Sequence, residues 1–112
     1  MKITRGDIFI ANLDPTIGKE IQKTRPVIIV SNDIGNNHSN LVTVVPVTSQ
    51  RLQKTYPYEV LLPESTGLLK PSKAKANQVR TLDKSRLTKK VGRLNAKTIV
   101  ELNLALRVHL DL

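Results

Sequence analysis

The chain has 112 residues, no cysteine and a formal net charge of +9. This length predicts a single domain, residues 1–112, with a core of its own, and the missing thiols exclude disulfides and thiolate metal sites. No apolar run approaches the roughly 20 residues of a membrane span, and the polar start does not match a signal peptide. We therefore expect a soluble protein of the cytoplasm.

The first third of the chain alternates between apolar strands and polar loops. The apolar residues from Gly6 to Asn12 predict a strand with both faces covered, and residues 13–24 predict a loop. A connection of about a dozen residues without structure of its own is unusually long and often functional. Arg25-Pro26 then leads into the β-branched run 27–30, which predicts a buried central strand with Pro26 at its first position.

The middle of the chain predicts three further strands separated by turns. Residues 31–40 are rich in turn formers, and residues 41–47 predict a third strand, whose Pro46 indicates an edge or a bulge. A fourth strand is predicted over residues 56–62 and a fifth over residues 72–79.

The last third predicts a helical turn, a short strand and a terminal helix. Residues 80–87 favour a helical turn, because Asp83 can accept hydrogen bonds from nearby backbone N–H groups. Residues 90–93 predict a strand. Asn95 is a typical N-cap for a helix over residues 96–110, which contain neither Gly nor Pro.

The terminal helix carries two apolar stripes at helical spacing. One stripe consists of Ile99, Leu102, Leu106 and Leu110, and the other of Val100, Leu104 and Val108. A helix that is apolar on two sides needs two partners. We expect the second partner to be another copy of the chain, in a homodimer, rather than the core of the same monomer. Several short strands without βαβ alternation predict a mainly β fold, a small antiparallel or half-open barrel with a C-terminal helix.

Positive charge is concentrated in residues 70–97. Residues 1–69 carry seven Lys/Arg against six Asp/Glu, whereas residues 70–97 carry ten basic residues against one acid, Asp83. Such a stretch indicates a polyanionic partner, and nucleic acid is the first candidate. The alternatives are that the stretch is a solubilising surface or that it binds an acidic protein. Only three aromatic side chains are present, so nucleic-acid binding should depend on charge and hydrogen bonds rather than on base stacking.

Metal ligands are not grouped in this sequence. His38 and His109 are far apart, and neither has a carboxylate at ligand spacing, so we expect no metal site and no cofactor. His38 lies in a polar segment and could approach a substrate, whereas His109 is expected to pack or to face solvent.

Arg25 and Thr48 are the candidates for chemistry. Arg25 precedes the second strand and Thr48 ends the third, so the two side chains meet at one end of the sheet if these strands are antiparallel neighbours. A guanidinium and a hydroxyl on a rigid edge can bind a phosphate group. Nearby loop residues that would surround this phosphate site are Lys19, Glu20, Gln22 and Gln50.

Several motifs are spread over nearly the whole chain, namely Arg5-Gly6-Asp7, Leu13-Asp14-Pro15, Gly18-Lys19-Glu20, Arg25-Pro26, Pro46-Val47-Thr48-Ser49 and the segment QVRTLDKSRL, residues 78–87. In these motifs and their spacing the sequence resembles the MazF/PemK-type toxins, the small ribonucleases of bacterial toxin–antitoxin systems.

The resemblance implies an SH3-like barrel, a homodimer and metal-independent cleavage of single-stranded mRNA at short specific sequences. It also implies a cognate antitoxin that blocks the RNA groove. The family's catalytic arginine falls on Arg25 and its catalytic serine or threonine on Thr48. We assign RNA contacts to Lys19, Glu20, Gln22, Gln50, Arg51, Asn77 and Gln78. Asn77 stands where many relatives have an acidic residue, which leaves the recognition sequence open.

Two alternatives belong to other classes of protein. One is a non-enzymatic toxin on the same barrel that poisons DNA gyrase, which would need no phosphate-cleaving pocket. The other is a small basic barrel that only binds RNA.

Overall fold

β-branched residues fill the strands at the centre of the sheet. In the computed structural model, which describes residues 1–112, these strands are β1 (Asp7–Asn12), β2 (Thr24–Ile29) and β3 (Leu41–Thr48). Strand β2 pairs antiparallel with β1 on one side and with β3 on the other. The apolar run 27–29 is therefore fully buried, as its composition predicts.

Four shorter strands complete the sheet: β4 (Glu59–Leu61), β5 (Lys73–Lys75), β6 (Arg80–Asp83) and β7 (Leu87–Arg93). All pairings are antiparallel, in the order β4-β5-β3-β2-β1-β7, and β6 pairs with β3. Strands β4, β6 and β7 each pair on one side only. The predicted fold class, a mainly β half-open barrel with a C-terminal helix, is confirmed.

Two helices and three single 3-10 turns connect or flank the strands. The helices are α1 (Asp33–His38) and α2 (Ala96–Leu110), and the 3-10 turns span Glu64–Thr66, Ala76–Gln78 and Lys84–Arg86. Helix α2 has the predicted bounds, and the Asn95 side chain caps it by accepting the Thr98 N–H at 2.8 Å. Neither helix combines the length and apolarity that a membrane crossing requires.

The central strands bury both of their faces, each in a separate apolar core. Phe9, Val27 and Val44 belong to one core, and the neighbouring residues Ile8 and Ile28 belong to the other. Helix α2 covers the second core with Leu102 and Ala105. Because both faces are buried, the sequences of these strands are continuous apolar runs and do not alternate between apolar and polar residues.

The two apolar stripes of α2 have different environments. Leu102 is buried, and Ile99 and Leu106 are half-buried against the second core. Leu110 was predicted for this stripe and is exposed, because it lies in the last turn of the helix near the chain end. The second stripe is open in the single chain, with Val100, Leu104 and Val108 exposed to 57%, 57% and 55%.

Both strand prolines lie where the hydrogen-bonded ladder has a gap. Pro26 is the third residue of β2, not the first as predicted, and the β2–β3 register begins only at Val27. Pro46 was predicted to mark an edge or a bulge, but β3 is a central strand. Its pairing with β6 ends at Val44 and its pairing with β5 begins at Val47, so Pro46 needs no N–H on that side.

Two segments differ from the predicted type of structure. Residues 31–40 were predicted as turns and contain α1, because the Asn32 side chain accepts the Gly35 N–H and caps a helical turn. Residues 80–87 were predicted as a helical turn and begin instead with strand β6, because β3 offers it a pairing edge. The turn itself follows, with Asp83 accepting the Ser85 N–H.

Three predicted strands have other bounds. The strand predicted over residues 56–62 is limited to β4, and the one predicted over residues 72–79 to β5, because the chain turns into a 3-10 helix at Ala76. The strand predicted over residues 90–93 begins earlier, at Leu87, which pairs with Ala11 of β1.

Candidate active site

Arg25 and Thr48 lie in one groove at the end of the sheet, as the strand order predicts. We call it the arginine groove. It has a volume of about 330 Å³ and a polar rim and an apolar wall. The rim contains Arg25, Thr48, Ser49, Lys70 and Lys89, and the wall contains Pro26, Leu68, Leu69 and Val91.

The backbone of Arg25 is fixed by the sheet, whereas most of its guanidinium is free. Arg25 pairs with Ala11 of β1, and its Nε donates to the Gln22 carbonyl oxygen at 3.2 Å. Neither Nη group has a hydrogen-bond partner in the protein. The fork of the guanidinium is therefore held in direction and keeps the donors that bind two oxygens of one phosphate.

Thr48 ends β3 and lies between the arginine groove and a second one, since it lines both. Its Oγ1 accepts the Gln50 N–H at 3.1 Å. Because a hydroxyl can accept and donate at the same time, the Thr48 O–H remains available to donate to a substrate oxygen.

Two glycines let the loop before β5 press against β7 and shape the arginine groove. Gly67 has φ +96°, and a Cβ at this position would lie 2.4 Å from the Val91 carbonyl oxygen. A Cβ at Gly92 would lie 1.7 Å from the Thr66 carbonyl oxygen. Only residues without side chains permit this approach, which brings the loop to the groove as its apolar wall.

The second groove is larger, about 610 Å³, and we call it the amide groove. It contains five of the seven predicted RNA-binding residues, namely Lys19, Gln50, Arg51, Asn77 and Gln78. Thr48, Gln53, Lys54, Tyr56, Glu59, Lys73 and Lys75 also line it. Such a surface offers donors and acceptors for nucleobase edges beside the arginine groove.

The other two predicted residues lie outside these grooves. Glu20 lines a smaller groove next to the amide groove, and its carboxylate accepts the Ile17 N–H. Gln22 is exposed in the same loop and lines neither the arginine groove nor the amide groove, although its carbonyl oxygen accepts from Arg25 Nε.

Gln78 and Asn77 have different hydrogen-bond environments. Gln78 ties the loop between β1 and β2 to the amide groove, because its side chain accepts the Ile21 N–H at 2.6 Å and donates to the Lys19 carbonyl oxygen at 3.2 Å. Asn77 Oδ1 is buried without any donor. Leaving a buried acceptor unpaired costs about 1–3 kcal/mol, so a donor at Asn77 would be favourable.

An ion cluster that the sequence analysis missed forms the floor of the amide groove. Glu59 is buried and pairs with Lys73 at 2.9 Å and with Lys75 at 3.4 Å. Burial raises the pKa of the Glu59 carboxyl. Hydrogen bonds from Lys73 and the Tyr56 N–H, together with the charges of both lysines, outweigh burial and lower the pKa below its usual value. The sequence did contain a signal for this cluster. Glu59 of β4 lies directly opposite Lys75 of β5, and residues of opposite charge are favoured at such cross-strand positions.

Most of the basic stretch 70–97 is bound to the protein itself. Lys73 and Lys75 pair with Glu59, and Lys90 and Arg93 pair with Asp7. Arg80, Lys84 and Arg86 donate to backbone carbonyl oxygens. Lys70, Lys89 and Lys97 have no such partner, and the first two line the arginine groove. Most cations of the stretch therefore stabilise the fold, and only Lys70 and Lys89 are free at the arginine groove.

Neither histidine lies at a groove. His38 ends α1, and His109 is in the last turn of α2. Both are exposed. The Asp, Glu and His side chains form no cluster of three that could hold a metal ion.

The sequence is similar to a known family along almost its whole length. The model of the family described as PemK-like, MazF-like toxin of type II toxin-antitoxin system matches residues 4–110. The chain is 42% identical to endoribonuclease MazF9 of Mycobacterium tuberculosis, with 96% of each chain covered. It is 34% identical to endoribonuclease EndoA of Bacillus subtilis, with 100% of this chain and 97% of the relative covered.

Solved structures show the same architecture. MazF from Deinococcus radiodurans superimposes with a TM-score of 0.87 at 28% identity, over 100% of this chain and 99% of that one. A mycobacterial endoribonuclease in complex with its cognate antitoxin gives a TM-score of 0.84, also at 28% identity, over 98% and 96% of the two chains.

Proposed function

The chain belongs to the PemK-like, MazF-like toxin family of type II toxin–antitoxin systems, and we propose that it is an endoribonuclease that cleaves single-stranded mRNA at specific sequences. The observation that carries this proposal is the arginine groove. There Arg25 has both Nη groups free and lines the same groove as Thr48. Relatives that are 42% and 34% identical are named endoribonucleases, which supports the same reaction class.

The proposed reaction is an internal transfer of phosphate within the RNA. The ribose 2′ oxygen attacks the adjacent phosphorus, the bond from phosphorus to the 5′ oxygen breaks, and the products have 2′,3′-cyclic phosphate and 5′-OH ends. The 2′-OH loses a proton, and the leaving 5′ oxygen gains one. The equatorial oxygens of the pentacoordinate transition state carry more charge than those of the substrate, so a bidentate cation at this position accelerates the step.

Arg25 fits the role of this cation. A guanidinium stays protonated at neutral pH, so Arg25 stabilises charge and does not accept the 2′-OH proton. Thr48 donates a hydrogen bond to a phosphate oxygen or orients the 2′-OH. The positive charge of Arg25 serves the transition state without a metal ion, so we propose that cleavage is metal-independent.

Base recognition is proposed for the amide groove, because it adjoins Thr48 and carries several amide side chains. Single-stranded RNA is read through hydrogen bonds to the edges of unstacked bases. Gln50, Asn77 and Gln78 offer such groups, and Lys19 and Arg51 add cations for the phosphates. Glu20 is proposed to read bases from the neighbouring groove.

We further propose that the chain acts as a homodimer in the cytoplasm and is neutralised by a cognate antitoxin. The exposed stripe Val100, Leu104 and Val108 supports the dimer, because a small domain gains stability by covering it. A mycobacterial structural neighbour is bound to its cognate antitoxin, which supports an antitoxin partner.

The test is incubation of the purified chain with a long RNA of mixed sequence in EDTA, followed by mapping of every new end. Discrete cuts with 5′-OH ends at one recurring sequence are the expected result. Intact RNA after incubation with a folded dimer would contradict the proposal. A gyrase inhibition assay and an RNA-binding assay would then separate the two alternative functions.

A further inference from the structure

The loop between β3 and β4, residues 49–58, forms one wall of the amide groove and has little support of its own. It contributes Gln50, Arg51, Gln53, Lys54 and Tyr56 to the groove. No backbone hydrogen bond joins residues 49–55 to another segment. A loop of this kind would ordinarily be mobile, because ordering each residue costs about 1–2 kcal/mol of backbone entropy.

One side chain supplies the missing support. Lys73 Nζ donates to the Arg51 carbonyl oxygen at 2.8 Å and to the Lys54 carbonyl oxygen at 3.0 Å. These are the only hydrogen bonds between residues 51–54 and the rest of the chain. Lys73 belongs to β5, which pairs with the central strand β3, so the loop is fastened to the rigid part of the sheet.

All three N–H donors of the Lys73 ammonium form hydrogen bonds within the protein. Its third donor goes to Glu59 Oε1 at 2.9 Å, and the side chain is only 4% exposed. Because an ammonium has three donors, none remains for RNA. Lys73 therefore lines the groove without being able to bind a phosphate, unlike the free cations Lys70 and Lys89.

Glu59 completes the attachment at the other end of the loop. The same Oε1 atom accepts the Tyr56 N–H at 3.1 Å, while Oε2 pairs with Lys75 at 3.4 Å. The pair Lys73 and Glu59 thus holds the loop at Arg51, Lys54 and Tyr56.

We infer that Lys73 is a positioning residue, which acts with Glu59 to fix the loop 49–58 as a preformed wall of the amide groove and so sets how strictly the enzyme discriminates between RNA sequences. The part of this inference that concerns RNA rests on the proposed endoribonuclease function. A fixed wall presents Gln50 and Arg51 in one arrangement, whereas a mobile wall accommodates several sequences at the cost of affinity.

The first measurement uses the protein alone. Hydrogen–deuterium exchange is compared between the wild type and Lys73→Met, with Lys2→Met as the control, because Lys2 is an exposed lysine outside the arginine groove and the amide groove. We expect faster exchange at the Gln50 and Tyr56 amides of Lys73→Met, the two amides of the loop that donate hydrogen bonds, and unchanged protection of β1, β2 and β3. Unchanged exchange in the loop would overturn the inference whether or not the chain cleaves RNA.

The second measurement uses two short RNAs, one with the cleavage sequence mapped for the wild type and one with a single base of it changed. For Lys73→Met we expect KM for the first RNA to rise about tenfold and the preference over the second RNA to fall by a similar factor. The rate at saturation should stay within about twofold, because Arg25 and Thr48 are untouched. An unchanged KM and preference would overturn the positioning role, as would a loss confined to the saturated rate.

A double variant separates positioning from general stability. Glu59→Gln with Lys73→Met removes both buried charges, and such neutral replacements often restore stability. The carbonyl oxygens of Arg51 and Lys54 still lack their donor. We expect Tm to recover while sequence preference stays low. Recovery of both together would show that Lys73 serves stability only. Failure of the wild type to cut any RNA would contradict the proposed function, and the exchange measurement would still decide the role of Lys73.

Discussion

At the scale of single residues, Arg25 and Thr48 each use part of their hydrogen-bonding capacity on the protein and keep the rest. Arg25 Nε donates a hydrogen bond to the Gln22 carbonyl oxygen, and Thr48 Oγ1 accepts one from the Gln50 N–H. Both residues line one groove. This arrangement supports the proposed phosphate site, because the protein fixes the direction of each group before the ligand arrives.

The buried carboxylate Glu59 is the residue through which pH should act on stability. Folding lowers its pKa from an ordinary value of 4.5. Folding also lowers the pKa of Asp33, through the Arg5 N–H and the Asn36 side chain, and of Asp83, through the Ser85 hydroxyl and N–H. Between the lowered and the ordinary pKa values the unfolded chain binds more protons, so the stabilisation exists above about pH 4.5 and is lost as pH falls further.

We therefore predict that Tm is nearly constant from about pH 7 to pH 5 and decreases below about pH 4.5, measured by circular dichroism at constant salt. Glu59→Gln should flatten part of this decrease. Glu64→Gln is the control, because Glu64 forms no ion pair. A Tm that stays constant or rises down to about pH 3 would contradict this assignment.

The residues could be predicted from the sequence only in part. The sequence predicted that Arg25 and Thr48 lie close together, because each stands at a strand end and the two strands are antiparallel neighbours. The role of Lys73 could not be identified, because two of its partners are backbone carbonyl oxygens of a loop 19 to 22 residues away. No spacing rule encodes such contacts, since they depend on how the loop folds back onto β5.

At the scale of elements, hydrophobic periodicity predicted helix α2 and the central strands. The structure of the remaining segments depends on which strands pair with each other. Pro46 suggested an edge because a proline lacks the N–H of a ladder. Instead, Pro46 lies at the point where the pairing partner of β3 changes from β6 to β5, so the missing N–H breaks no hydrogen bond there. Residues 80–83 likewise form a strand because β3 is available, although their local sequence favours a turn.

The open stripe of α2 gives a prediction at this scale. Leu104→Lys should convert the dimer to a monomer in sedimentation velocity experiments, because it places a charge in the centre of the stripe. The fold should persist, since Leu104 is exposed in the single chain and lysine is a good helix former. Ile34→Lys, at an exposed apolar position of α1, is the matched control. A Leu104→Lys protein that remains dimeric would show that another surface holds the two copies.

At the scale of the whole molecule, the formal charge of +9 overstates the cations available to a ligand. Lys73, Lys75, Lys90 and Arg93 are paired with carboxylates. The cations left at the grooves are Lys19, Arg25, Arg51, Lys54, Lys70 and Lys89. The sequence predicted the excess of positive charge but not its distribution, because ion pairing is set by the tertiary structure.

This distribution predicts a moderate salt dependence of RNA binding. About six phosphate contacts per protomer give a slope of roughly −4 for log K against log salt concentration, whereas ten would give roughly −7. Lys89→Ala should reduce the slope by about 0.7, and Lys2→Ala should leave it unchanged. Fluorescence anisotropy with a short RNA measures the slope. A flat response would show that the groove cations serve another partner, such as an acidic segment of the antitoxin.

The most direct test of the central claim is the single-turnover cleavage rate of Arg25→Ala on one short RNA at saturating protein. Loss of the cation at the transition state should reduce the rate about 100- to 1,000-fold, and Thr48→Ala should cost less. Arg107→Ala is the control, because Arg107 lies in the last turn of α2 away from both grooves. A near-normal rate for a folded, dimeric Arg25→Ala protein would contradict the assignment of the arginine groove as the site of cleavage.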